Sequence, residues 1–334
     1  MPRRYPGGGR PDDAAAGSGP GRAAGSPAGS CAGAGSPAWR GGAGEVLVWV
    51  KAAGLNGADM MQRRGFYPAP PGAPQDIPGL ELAGEVAATG PGAGRFAVGD
   101  RVMAVVGGGG QAELAVVHER AAVPVPDGLG WAEAGGFPEA FTTAHDALFT
   151  QVRLAPGERV CVHGAAGGVG SARVQLAAAA GASVVATVRH EPLRAAVAAL
   201  APGVVAVDPE GFGRHGPFDV ILELIGGPNL GADLAALATW GRITVIGSAA
   251  GRTAELDLLA LMGKRATIRG STLRPRPLEE KAAAARAVEA QVLPLVSAGK
   301  VRVPVAATYP LEEAAAAYAR FAAGAKLGKV VLVA

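Results

Sequence analysis

Between residues 159 and 190 the chain reads RVCVHGAAGGVGSARVQLAAAAGASVVATVRH, and no other stretch narrows the choice of fold as much. An apolar run of strand length meets a glycine turn, an amphipathic helix follows, Gly181 stops it, and a second apolar run begins. This is the context that a dinucleotide fingerprint of the form G-x-G-x-x-G requires. Gly167 and Gly170 fill its second and third glycine places, and Ala165 stands at the first. Gly167 is expected to let the backbone approach a pyrophosphate, and Gly170 to let the helix pack on the sheet. Gly168 and Val169 open a helix whose first amides and dipole favour an anion. The competing reading is a structural turn in an α/β domain that binds nothing.

The end of the second strand bears on which nucleotide. NAD-preferring sites carry Asp or Glu there for the ribose 2′-hydroxyl, whereas this chain has Thr187, Val188, Arg189 and His190. An arginine fork suits a 2′-phosphate, so NADPH is expected, with Arg189 as first candidate and Arg194 as second. The alternative for both is a solvated arginine at a helix start, and Glu191 stands close by.

Around this unit the texture changes twice. Residues 1–44 include 33 Gly, Ala, Pro or Ser and no Leu, Ile, Val or Phe. Such a segment buries too little apolar surface to offset its ordering entropy and is expected to be a disordered tail. From Val46 to about Pro126 short β segments alternate with Gly and Pro turns: VLVWVKA, LAGEVAAT, DRVMAVV, QAELAVV and AVPVP. Beyond Asp127 strands are expected at 159–163, 183–188, 204–207, 218–224, 242–247 and 266–271, mostly separated by helical patterns. Their continuously apolar runs suit a parallel, doubly wound sheet buried on both faces. A long helix over 278–297, the segment VRVPVAATYP, a helix near 311–322 and the strand KVVLV close the chain. This last part is expected to return to the β unit.

Charge excludes some partners. The chain's net charge of +3 resides in its first 44 residues, which hold five Arg and two Asp; the other 290 carry 26 basic and 26 acidic side chains. A neutral body with 5% aromatics has neither the basic stripe nor the stacking platform of a nucleic-acid binder. No run approaches the ~20 apolar residues of a membrane span. Arg3 and Arg4 lack the apolar run of a secretory signal, and Cys31 and Cys161 form no disulfide framework, so a cytoplasmic location is expected. His118, His145, His163, His190 and His215 show no metal-ligand spacing, and no metal is expected. No nucleophile elbow is present. The chemistry is therefore expected to come mainly from a cofactor.

The blocks AAGLNGADMMQRRGFYPAPPGAP, IPGLELAGEVAATGPG, FAVGDRVMAVVGGGGQAEL, FPEAFTTAHDAL and VHGAAGGVG resemble those of the medium-chain dehydrogenase/reductase superfamily. They are most similar to its zinc-independent quinone oxidoreductase branch, in particular the tumour-suppressor-inducible NADPH:quinone oxidoreductases. The resemblance covers Glu45 to Ala334. It implies a GroES-like, mostly β catalytic domain (45–128 and 273–334), a Rossmann domain (129–272) with NADPH in the cleft between them, and a homodimer. Zinc-dependent relatives carry Gly-His-Glu where this chain has Gly79, Leu80 and Glu81, and the four-cysteine zinc lobe is missing.

Carried over by motif, Asn56 would lie near the nicotinamide ribose or the substrate, Tyr67 would line the substrate pocket, and Thr143 would stand near the nicotinamide. Gly247 would line the cofactor cleft, and Arg274 and Lys326 would make polar contacts near its mouth. Tyr67 or Asn56 would polarise the substrate carbonyl or relay a proton. The plainer readings are turn-forming roles for Asn56 and Asp59, packing of a proline-rich loop by Tyr67, and solvated charges at Arg274 and Lys326. Three departures stand out. Relatives begin with a β-hairpin for which residues 1–44 hold no pattern, so incomplete closure of the β unit is expected. The 209–217 crossover is short, and Asp208-Pro209 replaces a Tyr near the adenine. The implied activity is NADPH-dependent reduction of quinones or conjugated enones, the alternatives being an enoyl-thioester reductase or a catalytically idle NADPH-binding protein.

Overall fold

The computed structural model describes residue 39 and residues 41–334. Two sheets organise them. The first contains β1 (Glu45–Gly54), β2 (Glu81–Thr89), β3 (Arg101–Val105), β4 (Leu114–His118), β5 (Ala122–Pro124), β12 (Val305–Pro310) and β13 (Lys329–Val333). Its order is β12-β13-β1-β2-β3-β5, with β4 paired to β1. Strand β1 is long enough to hold two partners along one edge, β4 against Glu45–Trp49 and β13 against Ala52–Gly54. The chain's last strand thus returns to the β unit. Alternation decides what this sheet encloses: Val46, Val48, Val50, Leu82, Val86, Val102 and Ala104 form its core. Trp49, Leu114 and Val116 face outward.

The second sheet is parallel and six-stranded, ordered β11-β10-β9-β6-β7-β8. It comprises β6 (Arg159–Val162), β7 (Ser183–Thr187), β8 (Val205–Val207), β9 (Phe218–Glu223), β10 (Leu237–Val245) and β11 (Thr267–Gly270). Five stand within a residue of the apolar runs that predicted them, and β10, expected at 242–247, begins at Leu237 and ends at Val245. Val160, Val184, Val220 and Leu222 enter one core, and Cys161, Val185, Ile221 and Ile243 enter another on the opposite face. A strand buried on both faces cannot alternate, which is why its sequence does not. Asp208 caps a 3₁₀ stretch, Pro209–His215, that alone joins β8 to β9. The crossover expected to be short contains no α-helix.

Helices α1 (Gly57–Arg63), α2 (Trp131–Gly136), α3 (Pro138–His145), α4 (Gly168–Ala179), α5 (Arg194–Ala198), α6 (Leu230–Ala236), α7 (Leu258–Lys264), α8 (Leu278–Gln291), α9 (Leu293–Ser297) and α10 (Ala314–Ala322) complete the fold. The helix expected over 278–297 is two helices, α8 and α9, broken at Val292. Pro294 explains the break, since it offers no amide and its ring collides with the carbonyl four residues earlier. Local order also begins before Glu45: the Gly42 amide donates to Glu45 Oε2 at 2.7 Å and the Gly44 amide to the Pro91 carbonyl at 2.8 Å. The rest of the expected disordered tail, and the starting hairpin, lie outside the described residues.

Candidate active site

The parallel sheet reverses direction between β6 and β9, since the chain steps from β6 to β7 and β8 and then returns to the other side of β6. Ligands of open α/β sheets sit at the carboxyl ends of strands at such a switch point. The glycine turn stands there, between β6 and α4. Gly164 takes the left-handed conformation (φ +63°), so the tight turn falls one residue before Ala165, which is fully buried. A Cβ on Gly170 would stand 2.2 Å from the Gly164 carbonyl oxygen, so the close approach of helix to strand demands glycine. A Cβ on Gly167 would meet only that same oxygen, at 3.5 Å, and otherwise open space. That space lies at the N-terminus of α4, where the first-turn amides, including those of Gly168, Val169 and Gly170, have no intrahelical acceptor. A cradle of this shape and polarity fits a pyrophosphate. Gly247, following β10, packs its α-carbon against the Leu224 backbone after β9, and Leu224 in turn borders Gly164. The structure therefore brings Gly247 and the glycine turn to the same edge of the sheet.

The two arginines after β7 differ. Arg189 is exposed and has no partner among the described residues. Arg194 donates through Nε to the Val188 carbonyl at 3.1 Å and pairs with the Asp208 carboxylate. Asp208 thus competes for any phosphate that Arg194 could hold.

The other wall comes from the β unit and α3, and it meets the turn directly. The Gly328 amide donates to the Ala166 carbonyl at 2.8 Å, and the Lys329 stem crosses Gly136 and Gly168. The Lys329 ammonium then reaches Glu81 Oε1 at 2.5 Å, Asn56 Oδ1 at 2.7 Å and the Leu55 carbonyl at 2.9 Å. Asn56 Nδ2 donates to Glu81 Oε1 at 2.9 Å and to the Gly54 carbonyl, so both ends of its amide are engaged. Glu81 Oε2 accepts the Glu139 amide at 2.8 Å, and Thr143 Oγ1 donates to Glu139 Oε1 at 3.2 Å. Asp59 is fully buried and accepts the Asn56 and Gly79 amides. Burial pushes the Asp59 and Glu139 carboxyls up to about 7, with the Glu81 carboxylate adding to both.

Arg274 is 2% exposed, so it is not a solvated charge. It binds the Gly107 and Tyr67 carbonyls at 2.7 and 3.0 Å and Gln62 Oε1 at 2.5 Å, tying three segments together. Its guanidinium also stands 5.1 Å from the Tyr67 ring centroid, and burial raises the half-buried Tyr67 phenol despite that charge. Lys326 lies over the Phe321 ring at 4.4 Å, outside the Lys329 network, and burial with Lys329 and Arg320 nearby lowers it to about 8. Sequence reasoning chose Lys326 and passed over Lys329, Glu81 and Glu139. One signal was available: Lys329 opens the apolar run KVVLV, and a lysine drawn into a core with such a strand needs a partner.

Leu80, at the place of the zinc-ligating histidine, is 1% exposed in the core. Elsewhere His163 Nε2 lies 2.8 Å from Asp233 Oδ1 and 3.9 Å from Glu223 Oε2 inside the parallel sheet. The ring also bonds Thr187 at 3.1 Å and stands edge-on to Phe212. These contacts fit the reading of His163 as an internally satisfied core residue.

Two family models match the chain: "Alcohol dehydrogenase GroES-like domain" over residues 42–127 and "Zinc-binding dehydrogenase" over 204–332. The quinone oxidoreductase of Rattus norvegicus is 32% identical over 300 residues, covering 86% of this chain and 89% of its own. The chain belongs to the medium-chain dehydrogenase/reductase superfamily. Within that superfamily, the solved quinone oxidoreductase from Thermus thermophilus, described together with its NADPH complex, superposes with a TM-score of 0.77. It is 33% identical and covers 90% of this chain and 95% of its own. Two polyketide synthases also match. GfsB of Streptomyces halstedii is 38% identical over 64% of this chain, and EryA2 of Saccharopolyspora erythraea 37% over 87%. This chain spans 4% and 8% of those synthases.

Proposed function

We propose that this member of the superfamily is an NADPH-dependent reductase of quinones or conjugated enones that works without zinc. The observation that carries the reading is the junction of the glycine turn with the Lys329–Glu81–Asn56 network, which sets an anion cradle beside Glu139 and Thr143. Bound NADPH would supply a hydride. The first-turn amides of α4 would hold its pyrophosphate and Arg189 its 2′-phosphate. The Lys329–Glu81 pair keeps the two walls in register, and Tyr67, held by Arg274, borders the acceptor's space. Leu80 supports a zinc-free site because a leucine cannot ligate a metal. No helix among the described residues is long and apolar enough to cross a membrane; a cytoplasmic homodimer without nucleic-acid partners completes the proposal.

A second reading, an enoyl-thioester reductase, draws on the likeness to the polyketide synthases. NADPH oxidation with benzoquinone, phenanthrenequinone, a medium-chain alkenal and a crotonyl thioester separates them. Quinone or alkenal turnover is expected; preference for the thioester would favour the second reading. Quenching of protein fluorescence by NADPH with no turnover on any acceptor would indicate an idle binding protein.

A further inference from the structure

Three carboxyl groups share the interior of the site with one ammonium. Glu81 takes most of what stabilises an anion there: Lys329, the Asn56 amide, and the Glu139 backbone amide at the start of α3. Asp59 receives two backbone amides, from Asn56 and Gly79. Glu139 receives one neutral hydroxyl, that of Thr143, and its Oε2 is sealed from solvent with no partner. A carboxylate left in that position would sit beside Glu81, offset only by the Thr143 hydroxyl and by the ammonium that Glu81 already holds, so ionisation is disfavoured. The charged and titratable groups bearing on it are Glu81 from β2, Lys329 from β13 and Asp59 from α1. Glu139 in turn bears on Tyr67, Arg274 and Lys281.

We propose that Glu139 holds the proton consumed in the reduction and passes it through the Thr143 hydroxyl to the substrate oxygen. The proposal rests on the reductase reading above. Bound NADPH would supply the hydride for the new C–H bond at the β-carbon of the enone or the conjugated ring carbon of the quinone, the C=C π pair shifting toward the carbonyl carbon as the carbonyl π pair moves onto oxygen. That oxygen takes the Thr143 proton as the threonine O–H bond breaks. With its hydroxyl turned from Glu139 to the substrate and the acid proton on Oε1, Thr143 Oγ1 accepts from Glu139 and regains its proton as the Glu139 O–H bond breaks to leave a carboxylate. After product leaves, water entering the cleft returns the proton by the same route. Glu139 acts through Thr143 and is thus a relay residue. Its carboxyl, held up to about 7, is matched to operation near neutral pH.

Glu139→Gln keeps an acceptor for Thr143 and removes the proton. With an alkenal as acceptor, wild-type kcat is expected to be level below pH ~7 and to fall about tenfold per unit above it. E139Q is expected to lose about a hundredfold in kcat and the pH dependence, with NADPH quenching within about twofold of wild type. A readout independent of turnover is the protonated-carboxyl band in the infrared spectrum. Asp59 is raised to about 7 as well, so the Glu139 band is read as the wild-type-minus-E139Q difference, which should be present near pH ~6, bleach as pH passes ~7, and appear equally when Thr143→Val replaces wild type. If E139Q does not fold, Asp59→Asn removes the other raised carboxyl, and a band that still titrates near ~7 in that variant, with kcat depressed in T143V, tests the relay. Wild-type kcat and pH profile in E139Q would overturn the proposal, as would turnover with no carboxyl band assignable to Glu139. The band without turnover of any acceptor would overturn the reductase reading itself, and the relay with it.

Discussion

Replacing Lys329 by methionine tests the joint between the two walls. Methionine keeps an apolar stem to pack on Gly136 and Gly168 but removes the ammonium that lies 2.5 Å from Glu81 and 2.7 Å from Asn56 Oδ1. Glu81 is fully buried and Lys329 is 3% exposed, so water cannot replace the lost partner. Removing one member of such a pair strands the other charge at a cost of about 3 to 5 kcal/mol. For a chain of this size that is a fall in Tm on the order of 10 °C. Urea unfolding followed by far-UV circular dichroism, compared at constant m, gives the loss. The double variant Lys329→Met with Glu81→Gln removes both charges and keeps one oxygen, which can accept from either the Asn56 side-chain amide or the Glu139 backbone amide. It should recover at least ~2 kcal/mol relative to the sum of the single changes. A K329M protein within ~1 kcal/mol of wild type, or strict additivity in the double variant, would refute the claim that this pair carries the joint.

Three further outcomes follow from the same geometry. Gly170→Ala should lower Tm, because its Cβ meets the Gly164 carbonyl at 2.2 Å, whereas Gly167→Ala should leave Tm unchanged and weaken NADPH quenching about tenfold or more. Equal Tm values for the two variants would contradict the division of labour in the turn. Arg189→Ala should weaken NADPH binding about tenfold and leave NADH untouched, while Asp208→Asn, by freeing Arg194, should raise the preference for NADPH a few-fold in fluorescence titrations. Burial raises Glu139 from 4.5 to about 7, so the folded protein keeps a proton that the unfolded chain releases. Its stabilising effect is full below pH ~4.5 and is lost as pH rises through ~7, by up to about 3 kcal/mol. E139Q should flatten the pH dependence of the urea midpoint by that amount, and an unchanged slope would argue against a neutral Glu139.

How far the site was legible varies residue by residue. The glycine turn was readable because each of its glycines answers a local demand, although the left-handed φ falls on Gly164 rather than at Ala165. Arg274 and Asn56 were found by motif, but not what they hold. The Arg274 partners Gln62, Tyr67 and Gly107 lie more than 160 residues away in the chain. Lys326 and Lys329 are three residues apart and alike in type. Only the pairing of β13 with β1 carries the second of them to Glu81.

Periodicity, glycine placement and proline placement act over a few residues, and by themselves they determined the six parallel strands, the fingerprint turn and the neutral, enzyme-like body of this protein. Tertiary structure alone decided which carboxyl is paired and which are held toward the neutral form. That depends on how many donors converge on each oxygen from β2, β13, α1 and α3, a count fixed by distances in space rather than by spacing along the chain. The same reason separates Arg189 from Arg194: both follow β7, and only the adjacent end of β8 brings Asp208 to the second.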